Sequence, residues 1–147
     1  MLLSASNPTF VYYAITVLLM SGLLIFLWAY SGAVRGRTKT AMNPEDGRTY
    51  GAPVVEHDPP EVARVLRAHA NAQANIIPFL LIGFVFVALG GGSTMGAVVF
   101  GAFVLCRFAH AAVYLAGKQP WRTLSFILGG VVTIVLIGNV IHLLIGR

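Results

Sequence analysis

Only five carboxylates occur in 147 residues, and all of them (Glu45, Asp46, Glu56, Asp58 and Glu61) lie between positions 45 and 61. The long apolar stretches therefore hold no acid, which argues against the intramembrane proton-relay carboxylate that pumps and transporters commonly use. Charge of either sign is scarce: 10% of residues are charged, where soluble domains carry about 25%. Cysteine occurs once, at Cys106, so no disulfide can form within one chain, and an isolated intramembrane cysteine reads as a small packing residue. Internal repeats, low-complexity segments and any nucleic-acid-binding module are also missing.

What is present is hydrophobicity. Apolar residues make up 57% of the chain, and mean hydropathy is +0.80. A hydrocarbon core of about 30 Å needs roughly 20 apolar residues per helix. Four stretches approach or meet that length: Phe10 to Val34, Ile76 to Gly90, Met95 to Leu115, and Leu124 to Ile145. The second becomes a full span once the polar segment from Ala63 to Asn75 continues the same helix. The first is too long for a signal-peptide core and has no basic region before it, so it reads as a retained helix. The expected fold is an all-α integral membrane bundle of four transmembrane helices, over about 10–34, 61–90, 95–116 and 121–145, forming a single membrane domain across 1–147.

Residues 35–60 are expected to form a long loop, because Asn43-Pro-Glu-Asp-Gly and Gly51-Ala-Pro are turn-forming combinations. Asp58-Pro59-Pro60-Glu61 reads as a helix start, with Asp58 as the N-cap, proline at the first helical position and Glu61 three after the cap. Pro120 suits a second start, and Pro78 should disturb the helix that contains it. Arg35, Arg37, Lys39 and Arg48 follow the first span, and Lys118 and Arg122 lie between the third and fourth. The positive-inside rule then predicts cytoplasmic first and third loops and both termini on the opposite side. The net charge of +5 describes a basic rim facing anionic headgroups. Trp28, Trp121, Tyr12 and Tyr13 fit aromatic belts at the interfaces, and Gly129-Gly130 favours close helix contact.

Two stretches hold almost all of the intramembrane polarity. In Arg67-Ala-His69-Ala-Asn71-Ala-Gln73-Ala-Asn75, four-residue spacing puts Arg67, Asn71 and Asn75 on one helix face, with Ala70 and Ala74 beside them and His69 and Gln73 on a neighbouring stripe. In Arg107-x-x-His110-x-x-x-Tyr114, the three residues again share a face. An ionisable group in a span costs roughly 2.5–3.5 kcal/mol on the lenient insertion scale, so such residues tend to line a pocket. Facing each other, the two stretches would make a cleft rich in donors and poor in acids, suited to an anionic ligand. Arg122, near the positive end of the fourth helix dipole, adds a cation at its mouth. A thiol placed there would lose its proton more readily, because the guanidinium and the helix N-terminus both favour the thiolate.

The chain resembles the MAPEG family, the membrane-associated proteins in eicosanoid and glutathione metabolism, from about Gly32 to Phe126. The resemblance is carried by Val34-Arg35-x-Arg37, Asn43-Pro-Glu-Asp46, Leu66-Arg67-Ala-His69-x-Asn71, Pro78-Phe79-Leu80-x-x-Gly83-Phe84-Val85, Arg107-x-Ala109-His110-x-x-x-Tyr114-Leu115 and Pro120-x-Arg122. It implies a homotrimer that binds glutathione between neighbouring subunits and takes a lipophilic electrophile from the bilayer. Carried over by position, Arg35, Arg67, Asn71, His110 and Tyr114 would hold the tripeptide, with Gln73 and Asn75 able to turn in. Arg122 would stabilise the thiolate, Asp46 would work with it, and Thr123 would donate a hydroxyl hydrogen bond to the sulfur. The implied activity is that of a membrane glutathione transferase, or of a glutathione-dependent isomerase or peroxidase, with no metal.

Three positions depart from the family pattern. Ala74 stands in place of a glutamate used on glutathione, Ala70 in place of an arginine of the prostaglandin branch, and Phe126 in place of a tyrosine. Loss of the glutamate leaves glutathione's ammonium without a charged partner. The opposing reading is a non-enzymatic lipid-binding or regulatory membrane protein that has lost glutathione on the same scaffold. A third reading pairs His69 and His110 at similar depth as haem ligands; no second histidine pair or haem-attachment motif accompanies them.

Overall fold

A computed structural model describes residues 2–146 and contains five helices: α1 (Pro8–Thr38), α2 (Pro44–Tyr50), α3 (Pro60–Ala88), α4 (Ser93–Leu115) and α5 (Trp121–Ile145). Four of them, α1, α3, α4 and α5, are long and apolar enough to cross a membrane. Their outward faces carry Leu18, Ile25, Leu81, Leu105 and Ile134, all largely exposed. In water such a surface would aggregate; against lipid tails it is the expected exterior.

Helix ends follow local chemistry. The Asn7 side chain accepts a hydrogen bond from the Thr9 amide at 3.1 Å, and Pro8 supplies a first helical residue that has no amide proton to satisfy. The Thr9 hydroxyl then donates to the Gly91 carbonyl at 3.0 Å, tying the start of α1 to the α3–α4 turn. At the other end of the bundle, α4 closes with a Schellman turn. Lys118 N–H bonds the Val113 carbonyl at 3.0 Å and Gly117 N–H bonds that of Tyr114 at 3.1 Å. Gly117 has φ of 68°, a left-handed conformation that favours glycine.

Several expectations from sequence need correction. Residues 35–60 are not all loop: α1 continues to Thr38, and Asn43-Pro-Glu-Asp-Gly opens the short helix α2. Proline at the first helical position, with Glu45 and Asp46 in the first turn, favours a helix start as much as a turn. Ala41 pairs with residues 53–55 through Ala41 N–H to Pro53 O and Val55 N–H to Ala41 O, closing the connection on itself. Asp58 does not cap α3. The N-cap is Pro59, and the Asp58 carboxylate instead accepts from Arg35 Nη2 at 2.7 Å and Nε at 3.3 Å. The Tyr13 ring packs against Phe84 and Phe100. Trp28 and Trp121 are exposed.

The core lies where α1, α3 and α4 meet. Phe79 and Phe103 stack in parallel with ring centres 3.6 Å apart, and Phe100 meets Phe79 edge-on at 6.0 Å. Met20, Leu27, Ile76 and Phe86 fill the surrounding layers. Between α4 and α5, Gly129 admits Cys106 and the Arg107 guanidinium, each of which would lie within 4 Å of a Cβ added there. Gly130 has nothing within that distance. Helix α5 packs on α4 and α3, whereas α1 packs on α3 and α4, and no contact joins α1 to α5.

Candidate functional site

Pro120 and the Schellman turn aim the first turn of α5 back across the end of α4. There Arg122 lies over the face of Tyr114, its guanidinium carbon 4.9 Å from the ring centre, a cation–π arrangement. The ring of Tyr114 in turn meets His110 edge-on at 5.5 Å. His110 is buried, and its Nδ1 lies 3.0 Å from the Arg122 carbonyl and 3.2 Å from the Ser125 hydroxyl. Ser125 also donates to the Trp121 carbonyl at 2.8 Å, so it links His110 to the start of α5. Tyr114, His110 and Arg122, singled out from sequence, thus form one cluster on α4 and α5.

Sequence reasoning missed Ser125 and Gln119. The signal for Ser125 was available, because it lies three residues after Arg122 and shares its helix face. Gln119 lies outside the helix and carried no periodic signal. Its amide reaches both Arg122 and Thr123.

Deeper in the bundle, Arg107 is 2% exposed, and neither Nη1 nor Nη2 has a partner among the described residues. The same holds for Nε2 of His110 and Oδ1 of Asn71. Unsatisfied buried polar groups are costly and rare, and each calls for an explanation. Here the set comprises an arginine fork, a ring nitrogen and an amide oxygen on two packed helices, with no carboxylate among them.

The face on α3 is used unevenly. Asn75 donates its amide to the Asn71 carbonyl at 2.8 Å, one turn back on its own helix. Arg67, Gln73, Ala70 and Ala74 are exposed, whereas His69 and Asn71 are half-buried. Pro78 removes the N–H that would otherwise serve the Ala74 carbonyl.

Arg35 and Asp46 lie elsewhere. Both line a cavity of about 670 Å³ formed by the end of α1 and by α2, together with Lys39, Thr40 and Tyr50. Asp46 accepts from Asn43 Nδ2 at 3.0 Å, and Arg35 is held by Asp58. Asp46 is therefore not paired with Arg122. Arg35 and Asp46 belong to the α1 side of the bundle, and Arg122 and Thr123 to the α5 side.

Comparison with protein families matches residues 13–142 to the MAPEG family. Prostaglandin E synthase of Homo sapiens is 38% identical over 99 residues, covering 67% of this chain and 65% of the human protein. The Bos taurus prostaglandin E synthase is 37% identical over 116 residues, 76% of each protein. Microsomal glutathione S-transferase 1 of Sus scrofa is 32% identical over 133 residues, 87% of this chain and 86% of the pig protein. The chain thus spans just under two thirds of the human relative's length in that match.

Proposed function

The chain belongs to the MAPEG family of multi-pass membrane proteins, and from that premise we propose that it activates glutathione's thiol and delivers it to lipophilic electrophiles. The observation that carries this reading is Arg122. Among the described residues it has no carboxylate partner, and it lies on Tyr114 at the first turn of α5, beside Thr123. A cation so placed stabilises a thiolate, and the helix N-terminus adds to it. Two relatives carry names that fit such chemistry, one a glutathione S-transferase and the other a prostaglandin synthase.

In this mechanism Arg122 holds the negative charge of the sulfur and Thr123 donates a hydrogen bond to it. Tyr114 and His110 fix the geometry of the cluster, and Arg67 and Asn71 bind the tripeptide's carboxylate and amide groups. The thiolate, its proton released to solvent, attacks an electrophilic carbon presented from the lipid with departure of the leaving group, or a peroxide oxygen with cleavage of the O–O bond and release of the alcohol. In the peroxide case a second glutathione then condenses with the sulfenic acid to give the disulfide and water. Positioning supplies much of the remaining rate. The buried unpartnered atoms of Arg107, His110 and Asn71 support a polar ligand in the bundle, since donors and acceptors left alone there would be destabilising.

A homotrimer accounts for the divided site. With α1 and α5 out of contact in one subunit, Arg35 and Asp46 would meet Arg122 across a subunit boundary. The basic loops facing the cytoplasm would place glutathione on the side where it is supplied. Glutathione would then have to displace or share Asp58 at Arg35.

Titrating the detergent-purified protein with glutathione and recording the ultraviolet thiolate difference spectrum tests the reading. A saturable signal supports a glutathione-activating enzyme. Its absence at millimolar glutathione would favour the non-enzymatic lipid-binding scaffold, which the exposed Ala74 supports by offering no partner for the ammonium. On the enzymatic reading, Ala74→Glu supplies that partner. A hydrogen bond to a charged group contributes about 1.5–3 kcal/mol, so glutathione should bind roughly ten- to a hundredfold tighter. Calorimetric titration reads this directly, and an unaltered Kd would remove Ala74 from the binding site.

Thr123→Val keeps the side chain's shape and deletes its hydroxyl. Turnover should fall roughly tenfold, in line with loss of one hydrogen bond to a charged atom, while the thermal midpoint stays unchanged. Equal turnover in the two proteins would exclude the hydroxyl from catalysis.

A further inference from the structure

Gln119 stands just before α5, and its amide lies between two side chains of the proposed site. In one orientation its NH2 would face the Arg122 guanidinium, donor against donor. Turned over, its carbonyl accepts from Arg122 Nη2 at 2.8 Å and Nε at 3.2 Å, and its NH2 donates to the Thr123 hydroxyl at 3.1 Å. Only the second orientation satisfies all three groups.

That arrangement has two chemical consequences. A bidentate acceptor is the usual partner for an arginine fork, but the usual acceptor is a carboxylate, which would neutralise the charge. An amide carbonyl holds the same two N–H groups and leaves the positive charge uncompensated. Because Thr123 accepts from Gln119, its own O–H proton is free to be donated outward. The Tyr114 ring lies beneath the guanidinium, its centre 4.9 Å from the guanidinium carbon. Between amide and ring the cation has a fixed position with its remaining N–H groups open.

We propose that Gln119 is a positioning residue that holds Arg122 and Thr123 together as one cation-plus-hydroxyl unit without cancelling the cation's charge. The inference rests on the reading of Arg122 as the thiolate-stabilising group. The titratable groups packed against that unit are Tyr114, whose ring lies under the Arg122 guanidinium, and His110, which meets Tyr114 edge-on and has its Nδ1 3.0 Å from the Arg122 carbonyl.

Gln119→Ala and Gln119→Glu separate holding from charge. Nitrogen NMR of arginine-labelled protein in detergent, with the Arg122 Nε–H signal assigned by its loss in Arg122→Lys, reads the holding without glutathione. Exchange of that proton with water should quicken several-fold in Gln119→Ala and stay slow in Gln119→Glu. The pH at which bound glutathione becomes thiolate should rise by about one unit in Gln119→Glu, the shift expected of a new like charge beside the sulfur. In Gln119→Ala it should rise by less.

Unchanged Arg122 exchange in Gln119→Ala overturns the proposal. So does a thiolate titration in Gln119→Glu that coincides with the wild-type one, or equal losses in both variants on every readout, which would mean a merely structural residue. Should the wild-type protein form no thiolate at all, the functional reading of Arg122 fails. The exchange comparison then still decides whether Gln119 holds the arginine.

Discussion

Arg122→Ala should lower glutathione-dependent turnover of a generic aryl electrophile such as chlorodinitrobenzene by roughly a hundred- to a thousandfold, the range seen when a preorganised charge-stabilising donor is removed. The size follows from the surroundings. Among the described residues no other cation is stacked on the Tyr114 ring, so no side chain already in that position carries the lost charge. The effect should appear in kcat/KM and in the amplitude of the thiolate spectrum together. Arg122→Lys should fall between the two, because an ammonium keeps the charge but not the fork that meets Gln119. Full turnover in Arg122→Ala, measured on protein with an unchanged thermal midpoint, would remove this residue from the mechanism.

Phe79→Ala should destabilise the bundle by about 3–5 kcal/mol, the range for deleting a fully buried phenyl ring. Phe79 has no exposed surface and contacts Phe103 face to face and Phe100 edge to face. Between membrane helices, lipid tails are as apolar as the side chains, so packing itself supplies the attraction. The cavity left by alanine has no hydrophobic compensation. Unfolding by SDS titration in mixed micelles, followed by circular dichroism, measures the loss. Phe79→Leu should retain most of the stability. A midpoint unmoved in Phe79→Ala would show that α3 and α4 are held by other contacts.

Both predictions depend on placement that the sequence reveals to different degrees. The spans around Leu18, Ile25 and Ile134 are legible because a hydrocarbon core demands length and apolarity and little else. Arg67, Arg107 and Arg122 stand out because a charge in or near a span needs a reason. Asp58 illustrates the limit. Its capping motif was sound by local rules, but the end of α1 brings Arg35 close enough to form an ion pair, and the helix begins one residue later. The segment at 43–50 could be turn or helix by composition, and the parallel pairing of Ala41 with residues 53–55 closes it into a compact loop that contains α2.

Sequence by itself determined the four apolar helices, the family, and the residue types available for chemistry, since these depend on composition, spacing and motif order along one dimension. Tertiary structure alone decided which of those residues meet. It gathered His110, Tyr114 and Arg122 around Ser125, brought Gln119 against Arg122 and Thr123, left the two Nη atoms of Arg107 buried without a partner among the described residues, and put Arg35 and Asp46 on the α1 side of the bundle. The physical reason is that helix faces follow from a period of 3.6 residues, whereas the rotation and neighbours of each helix follow from ring stacking and close glycine contacts between segments far apart in the chain.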